Sequence, residues 1–230
     1  MEELTKALAS FSPQDIEAVE EADRQFKALF ELYQRLREPE EFLKLVVINA
    51  LLSYQLQMKG EEYWEAFSKY FSNGRGINNF PDFLSKFNRR FLGAKLKRFK
   101  KVKECVEELF KKYPLEEIGR RLPLLVEALS ECLGQRRDAK TVVFAAKMFM
   151  YGYKIAFNRY PEGLWEIEIP LDSRLKKVLP STKEWRRVAE EVGIPPIRLD
   201  ALIWVPMGGE SSIPEELKAK VEKLKSALRH

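Results

Sequence analysis

Apolar residues recur at three- and four-residue steps along nearly the whole chain, and this period does most to limit what it can fold into. Ile16, Val19, Phe26, Leu29, Phe30, Tyr33 and Leu36 follow it after a Ser12-Pro13 start signal. After Pro39, Phe42, Leu43, Val46, Val47, Ala50, Leu51 and Tyr54 form a stripe wide enough for a central helix packed on more than one side. A helix from about Glu61 to Phe71 ends at the turn cluster Ser72-Asn73-Gly74-Arg75-Gly76. Pro81 opens another through Phe91, and Gly93 separates it from a basic helix whose inward face is Leu96, Phe99, Val102, Val106, Leu109 and Phe110. Pro114 and Pro123 mark further starts. Ser181-Thr182 caps a helix closed by Gly193, Pro195-Pro196 opens one through Trp204, and Ile213-Pro214 opens the last. Only Trp165 to Ile169 alternates, and Pro170 ends that run. The expected fold class is all-α, with roughly ten helices on short links.

Charge matters here by its placement. Forty Lys and Arg against 35 Asp and Glu leave a net +5, mild but compatible with a polyanion partner. Arg89 to Lys103 carries eight cations and no acid, whereas acids predominate from Met1 to Glu41. Two cysteines, Cys105 and Cys132, suggest neither a disulfide framework nor a metal site, and His230 is the only histidine. No metal and no cofactor are expected. No leader-like opening or membrane-length apolar run is seen, so a cytoplasmic protein without membrane contact is expected. The Lys- and Glu-rich composition leans toward heat adaptation.

Without histidine or a reactive thiol, nucleophilic chemistry is left to Lys, Ser, Asp or Glu. Lys140 is at a predicted helix N-terminus, where the partial positive charge disfavours an ammonium and the apolar Val142, Val143, Phe144 and Met148 would add desolvation. Lys147, seven residues on, occupies nearly the same helical face and competes for the role. Either lysine also reads as part of a solvated face. Asp172, following Pro170, reads as an N-cap.

A helix, a hairpin beginning Leu133-Gly134, a lysine opening the next helix and a later Pro-Leu-Asp entering another together resemble the helix-hairpin-helix DNA glycosylase superfamily. More narrowly, Ala-Lys-Thr-Val-Val-Phe-Ala-Ala-Lys-Met at 139–148 and Ile-Pro-Leu-Asp-Ser-Arg at 169–174, with 172 − 140 = 32 residues between lysine and aspartate, look like the archaeal 8-oxoguanine glycosylase family AGOG. The resemblance spans about Leu122 to Trp204 most clearly. It departs from the superfamily in having one glycine in the hairpin, so Arg136 and Arg137 are the expected phosphate contacts.

The resemblance implies a bifunctional glycosylase and abasic-site lyase, with Lys140 as nucleophile and Asp172 as its essential carboxylate, facing each other across a cleft. It places Gln25, Trp64, Asp200 and Trp204 in the base pocket; Phe144, one turn beyond Lys140, is a further wall. Lys97, Arg98 and Lys101 become candidate DNA contacts. The implied organisation is one glycosylase unit in two lobes, a central one of about 40–160 holding the hairpin motif near 122–157 and a second formed by 1–39 with 161–230. The expected partner is DNA containing 8-oxoguanine, bound by a monomer. Alternatives are a glycosylase for another damaged base and a non-catalytic helix-hairpin-helix protein that binds nucleic acid.

Overall fold

A computed structural model describes residues 1–208 and 212–229; His230 lies outside them. Among the described residues there are fourteen α-helices, three short 3-10 turns and no strand. The chain divides into two compact units, Arg24–Gly163 and a second built from Met1–Asp23 with Leu164–His230.

The Arg24–Gly163 unit holds α3 (Arg24–Leu36), α4 (Pro39–Leu51), α5 (Gly60–Phe71), α6 (Phe80–Phe87), α7 (Leu92–Lys112), α8 (Leu115–Arg120), α9 (Pro123–Leu133) and α10 (Lys140–Phe157). Pro39 occupies the first turn of α4, where no amide hydrogen is missed, and every residue from Phe42 to Leu51 except Lys44 is buried. A helix apolar on all sides must be surrounded, and α10 is its main cover. Gly152 makes the close approach: a Cβ there would stand 2.7 Å from Leu43 Cδ2 and 3.2 Å from Phe42 Cε2. Phe67 and Phe71 of α5 interlock with Phe80 and Phe83 of α6, with ring centroids 4.7–6.3 Å apart for the pairs between the two helices.

The second unit holds α1 (Glu2–Ala9), α2 (Pro13–Ala22), α11 (Ser173–Val178), α12 (Thr182–Val192), α13 (Pro196–Met207) and α14 (Lys218–Leu228). Ser12 caps α2 in a reciprocal box with Asp15. Leu8, Val19, Trp185, Leu202 and Leu224 meet in its core. Glu20, 1% exposed, receives two hydrogen bonds from Arg198 at 3.2 and 2.7 Å, and Lys220 donates to Asp15 at 2.6 Å, so charge pairs as well as apolar contact join the N-terminal helices to α13 and α14.

The structure corrects several sequence expectations. The division between the two units falls at Asp23 and Arg24, with α3 laid against α5 and α10. The single helix expected from Ile16 to Leu36 breaks there, at an extended Asp23. α6 ends at Phe87, and Gly93 is inside α7; the break is made by Phe91, left-handed at φ 55°. Trp165 to Ile169, by contrast, enters no strand, in keeping with the early stop at Pro170; Leu164–Glu166 forms a 3-10 turn. Cys105 and Cys132 are joined by a disulfide that ties α7 to α9. Their separation of 27 residues conceals the pairing, which depends on two helices lying side by side. Lys95, one of the run of cations, is fully buried: its Nζ donates to Gln55 O at 3.2 Å and to Asn88 Oδ1, beside the Tyr54 ring.

Closing a loop of this length lowers unfolded-chain entropy by an amount equivalent to about 3–4 kcal/mol. The Cys105→Ser, Cys132→Ser pair of substitutions is therefore expected to lower the unfolding free energy by about that much in denaturant titrations; a shift below about 0.5 kcal/mol would show that the bond does not constrain the chain. Burial, reinforced by the charge of Arg90, brings Lys95 down to about 8. Between there and its unfolded value near 10.5 the unfolded chain holds the extra proton, so Lys95 adds up to about 1.4 kcal/mol of stability per unit of rising pH. Lys95→Met should flatten the stability-against-pH curve between about pH 8 and 10 relative to the parent protein, and parallel curves would refute the assignment.

Candidate functional site

Helix α9 ends because Gly134 adopts φ 64°, which lets Gln135 N–H return to Ser130 O at 2.9 Å. A Cβ at Gly134 would meet nothing within 4 Å, so backbone conformation rather than space calls for glycine. The hairpin's only glycine thus terminates α9. Arg136 and Arg137 are both exposed and paired with carboxylates: Arg136 grips Asp138 at 2.9 and 3.1 Å, and Arg137 reaches Glu127 at 2.7 Å. Exposed pairs of this kind are screened by water and contribute little, so exchange for a phosphate costs little.

Lys140 is the first residue of α10, following the extended Ala139, and it is exposed. The apolar surroundings expected around it are turned elsewhere: Val142, Val143 and Met148 are buried in the core. Lys147 has the opposite setting, 1% exposed with Nζ 5.1 Å from the centroid of the Tyr151 ring. The two lysines on similar helical faces are thereby distinguished by environment. Lys140 leads into open surface where the helix begins, whereas α10 has entered the core by Lys147.

Phe144 is half-buried and meets Trp64 edge to face with centroids 6.1 Å apart. Trp64 itself is 1% exposed, wedged also against Tyr63 and Phe67. Gln25 on α3 is buried at 4% exposure. Lys140, Phe144, Trp64 and Gln25 all belong to the Arg24–Gly163 unit.

The remaining candidates belong to the other unit. Asp172 is the N-cap of α11, accepting from Leu175 N–H at 2.9 Å, so the expected cap also orients the carboxylate. Asp200, buried, and Trp204, half-buried, are one turn apart on α13. Arg174 lays its guanidinium 3.8 Å from the centroid of the Trp204 ring. The sequence reading missed this residue, although its place two positions after Asp172 was visible.

The expected DNA contacts on α7 separate by exposure. Lys97 and Lys101 are exposed, but Arg98 is half-buried and bonded within the protein. Burial lowers the Arg98 guanidinium from its ordinary value, an effect partly offset by Tyr54. A signal for this was present: 98, 102, 105 and 109 lie on one inward helical row. Among the described residues, no group of three or more His, Cys, Asp or Glu side chains is placed to hold a metal ion, and no helix is long and apolar enough to cross a membrane.

The chain matches the AGOG family, described as N-glycosylase/DNA lyase, over residues 5–230. It is 40% identical to an N-glycosylase/DNA lyase of Thermococcus kodakarensis over 225 residues, covering 91% of this chain and 84% of that one. A protein of the same description from Nanoarchaeum equitans is 38% identical, covering 87% of this chain and 88% of its own. The fold is similar to a crystal structure of an 8-oxoguanine DNA glycosylase from Pyrobaculum aerophilum in complex with 8-oxoguanosine, at a TM-score of 0.78 and 27% identity, covering 96% of this chain and 95% of that one. An all-helical chain with this hairpin, this lysine and this capped aspartate, matched over nearly its full length, belongs to the AGOG family of N-glycosylase/DNA lyases.

Proposed function

We propose that this enzyme excises 8-oxoguanine from DNA and then cuts the strand, with Lys140 as nucleophile and Asp172 as the carboxylate that serves the same nucleotide. The observation that carries the reading is the contrast between the two lysines of α10: Lys140 is exposed where the helix begins, and Lys147 is sealed in the core.

The chemistry needs no cofactor. The neutral Lys140 amine attacks C1′, and the bond from C1′ to the base breaks with its electron pair leaving on the base, which takes up a proton. Asp172, held in orientation by its cap, stabilises the positive charge that develops on the sugar. Opening of the sugar ring gives a Schiff base between Lys140 and C1′, which acidifies the C2′ hydrogen. Removal of that proton expels the 3′ phosphate by β-elimination. Trp64, Phe144 and Trp204 supply flat apolar surface for the extruded base, and Gln25 and Asp200 are its polar readers. The hydrogen on N7 distinguishes 8-oxoguanine from guanine, and a carboxylate such as Asp200 can accept it. A monomer acting on chromosomal DNA in the cytoplasm fits this reading, and intracellular disulfides are frequent in proteins of heat-loving archaea.

Borohydride trapping on a duplex with a single 8-oxoguanine tests the reading. A covalent adduct is expected from the parent protein and from Lys147→Gln, and none from Lys140→Gln. Absence of an adduct with the parent protein would falsify the Schiff-base step. A lesion panel that favoured uracil or an alkylated base would reassign the substrate while leaving the lysine chemistry in place.

Lys97 and Lys101 are exposed one turn apart on α7 and are assigned to phosphate contact. Replacing both with alanine should reduce the steepness of log affinity against log salt by about 0.9 for each phosphate that is no longer neutralised. An unchanged slope places that face of the helix away from DNA.

A further inference from the structure

Arg98 stands in the run of cations expected to meet DNA, yet its hydrogen bonds run inward to three separate segments. Nε donates to Leu51 O at 3.0 Å, and one terminal nitrogen donates to Gln135 Oε1 at 3.0 Å and to Thr141 Oγ1 at 3.2 Å. Leu51 ends α4, where the last carbonyls lack helical partners and a cation is favoured. Gln135 follows Gly134 in the hairpin, and Thr141 directly follows Lys140. Tyr54 lies against the same guanidinium, 5.7 Å from ring centroid to its central carbon. Seven residues further along α7, Cys105 bonds to Cys132 near the end of α9. The helix that leads into the hairpin and the helix that leaves it are both tied to α7.

From this geometry we infer that Arg98 is a positioning residue, which fixes the hairpin and the first turn of α10 against the end of α4 and so sets where Lys140 stands. The inference rests on the reading of Lys140 as nucleophile. Ala139 offers no side-chain cap to α10, so no capping side chain orients the exposed beginning of that helix. Arg98 supplies the constraint from a distance of 43 residues in sequence. A guanidinium suits the task because its donors form a rigid planar fork that can serve several acceptors at once; a lysine ammonium offers one centre.

The test uses the full-length enzyme under single-turnover conditions with saturating 8-oxoguanine duplex, at a temperature below each variant's unfolding transition. Arg98→Met is expected to slow base release roughly tenfold or more, as small displacements of reacting groups do. Thr141→Val, which removes a single acceptor, is expected to slow it less, and the double variant to be no slower than Arg98→Met alone. Arg98→Lys should recover little of the loss. Duplex affinity and its salt slope should stay at the parent values throughout.

A salt slope reduced by about one in Arg98→Met, with the rate at saturation intact, overturns the inference and makes Arg98 a phosphate contact. Rate losses of Arg98→Met and Thr141→Val that simply multiply overturn it as well, because no coupling then passes between them. Should Arg98→Met fail to fold, Thr141→Val and Gln135→Ala still decide: parent rates in both sink the inference. Lys140→Gln runs alongside. An adduct persisting in Lys140→Gln removes the nucleophile assignment, whereas an adduct abolished there with no coupling at Arg98 removes only the positioning role.

Discussion

The contact between α4 and α10 is what the larger unit depends on. Helix α4 is apolar around most of its circumference, so it has no stable existence until other helices surround it. Helix α10 provides most of that cover, and Gly152 allows the two to meet at a distance that a methyl group would prevent. Once the C-terminal half of α10 is seated, its first residue is also placed to within the bending of a helix. The exposed Lys140 is the solvent end of a rod that is buried from Ala145 to Tyr153.

The basic helix α7 has two jobs, divided by face. Exposed Lys97, Lys100 and Lys101 form a cationic surface, while Lys95 and Arg98 turn inward and hold backbone carbonyls at the end of α4 and in the loop after it. Buried cations are tolerated because carbonyl and amide oxygens satisfy them. The disulfide extends the same scaffold to α9. A run of cations that looks like a nucleic-acid track is in part the frame on which the hairpin is hung.

The other unit is organised by a similar logic on a smaller scale. Residues from the two ends of the chain share one core, and the buried Glu20 is paired there with Arg198. Asp172 and Trp204, the two candidates with most to do near a substrate in that unit, are each immobilised by a local contact. Leu175 N–H fixes the carboxylate, and the Arg174 guanidinium covers the indole. Arg174 also donates to Trp204 O at 3.5 Å, so α11 and α13 are connected at the residues of interest.

Much of this was written in local pattern. The three- and four-residue period, the Ser12 and Ser181 caps, the proline starts at 39, 123 and 196 and the glycine stops at 134 and 193 all act within a few residues, so the all-helical fold could be read directly. Lys140 and Asp172 stood out by motif, and the cap that orients Asp172 was legible for the same local reason. Tertiary structure alone decided which cations of α7 face inward, that Cys105 meets Cys132, that the chain divides at Asp23, and that Lys140 is exposed while Lys147 is buried. Each of these depends on which helices become neighbours, and one charged residue has the same local signature on a solvated face as it has against a distant carbonyl.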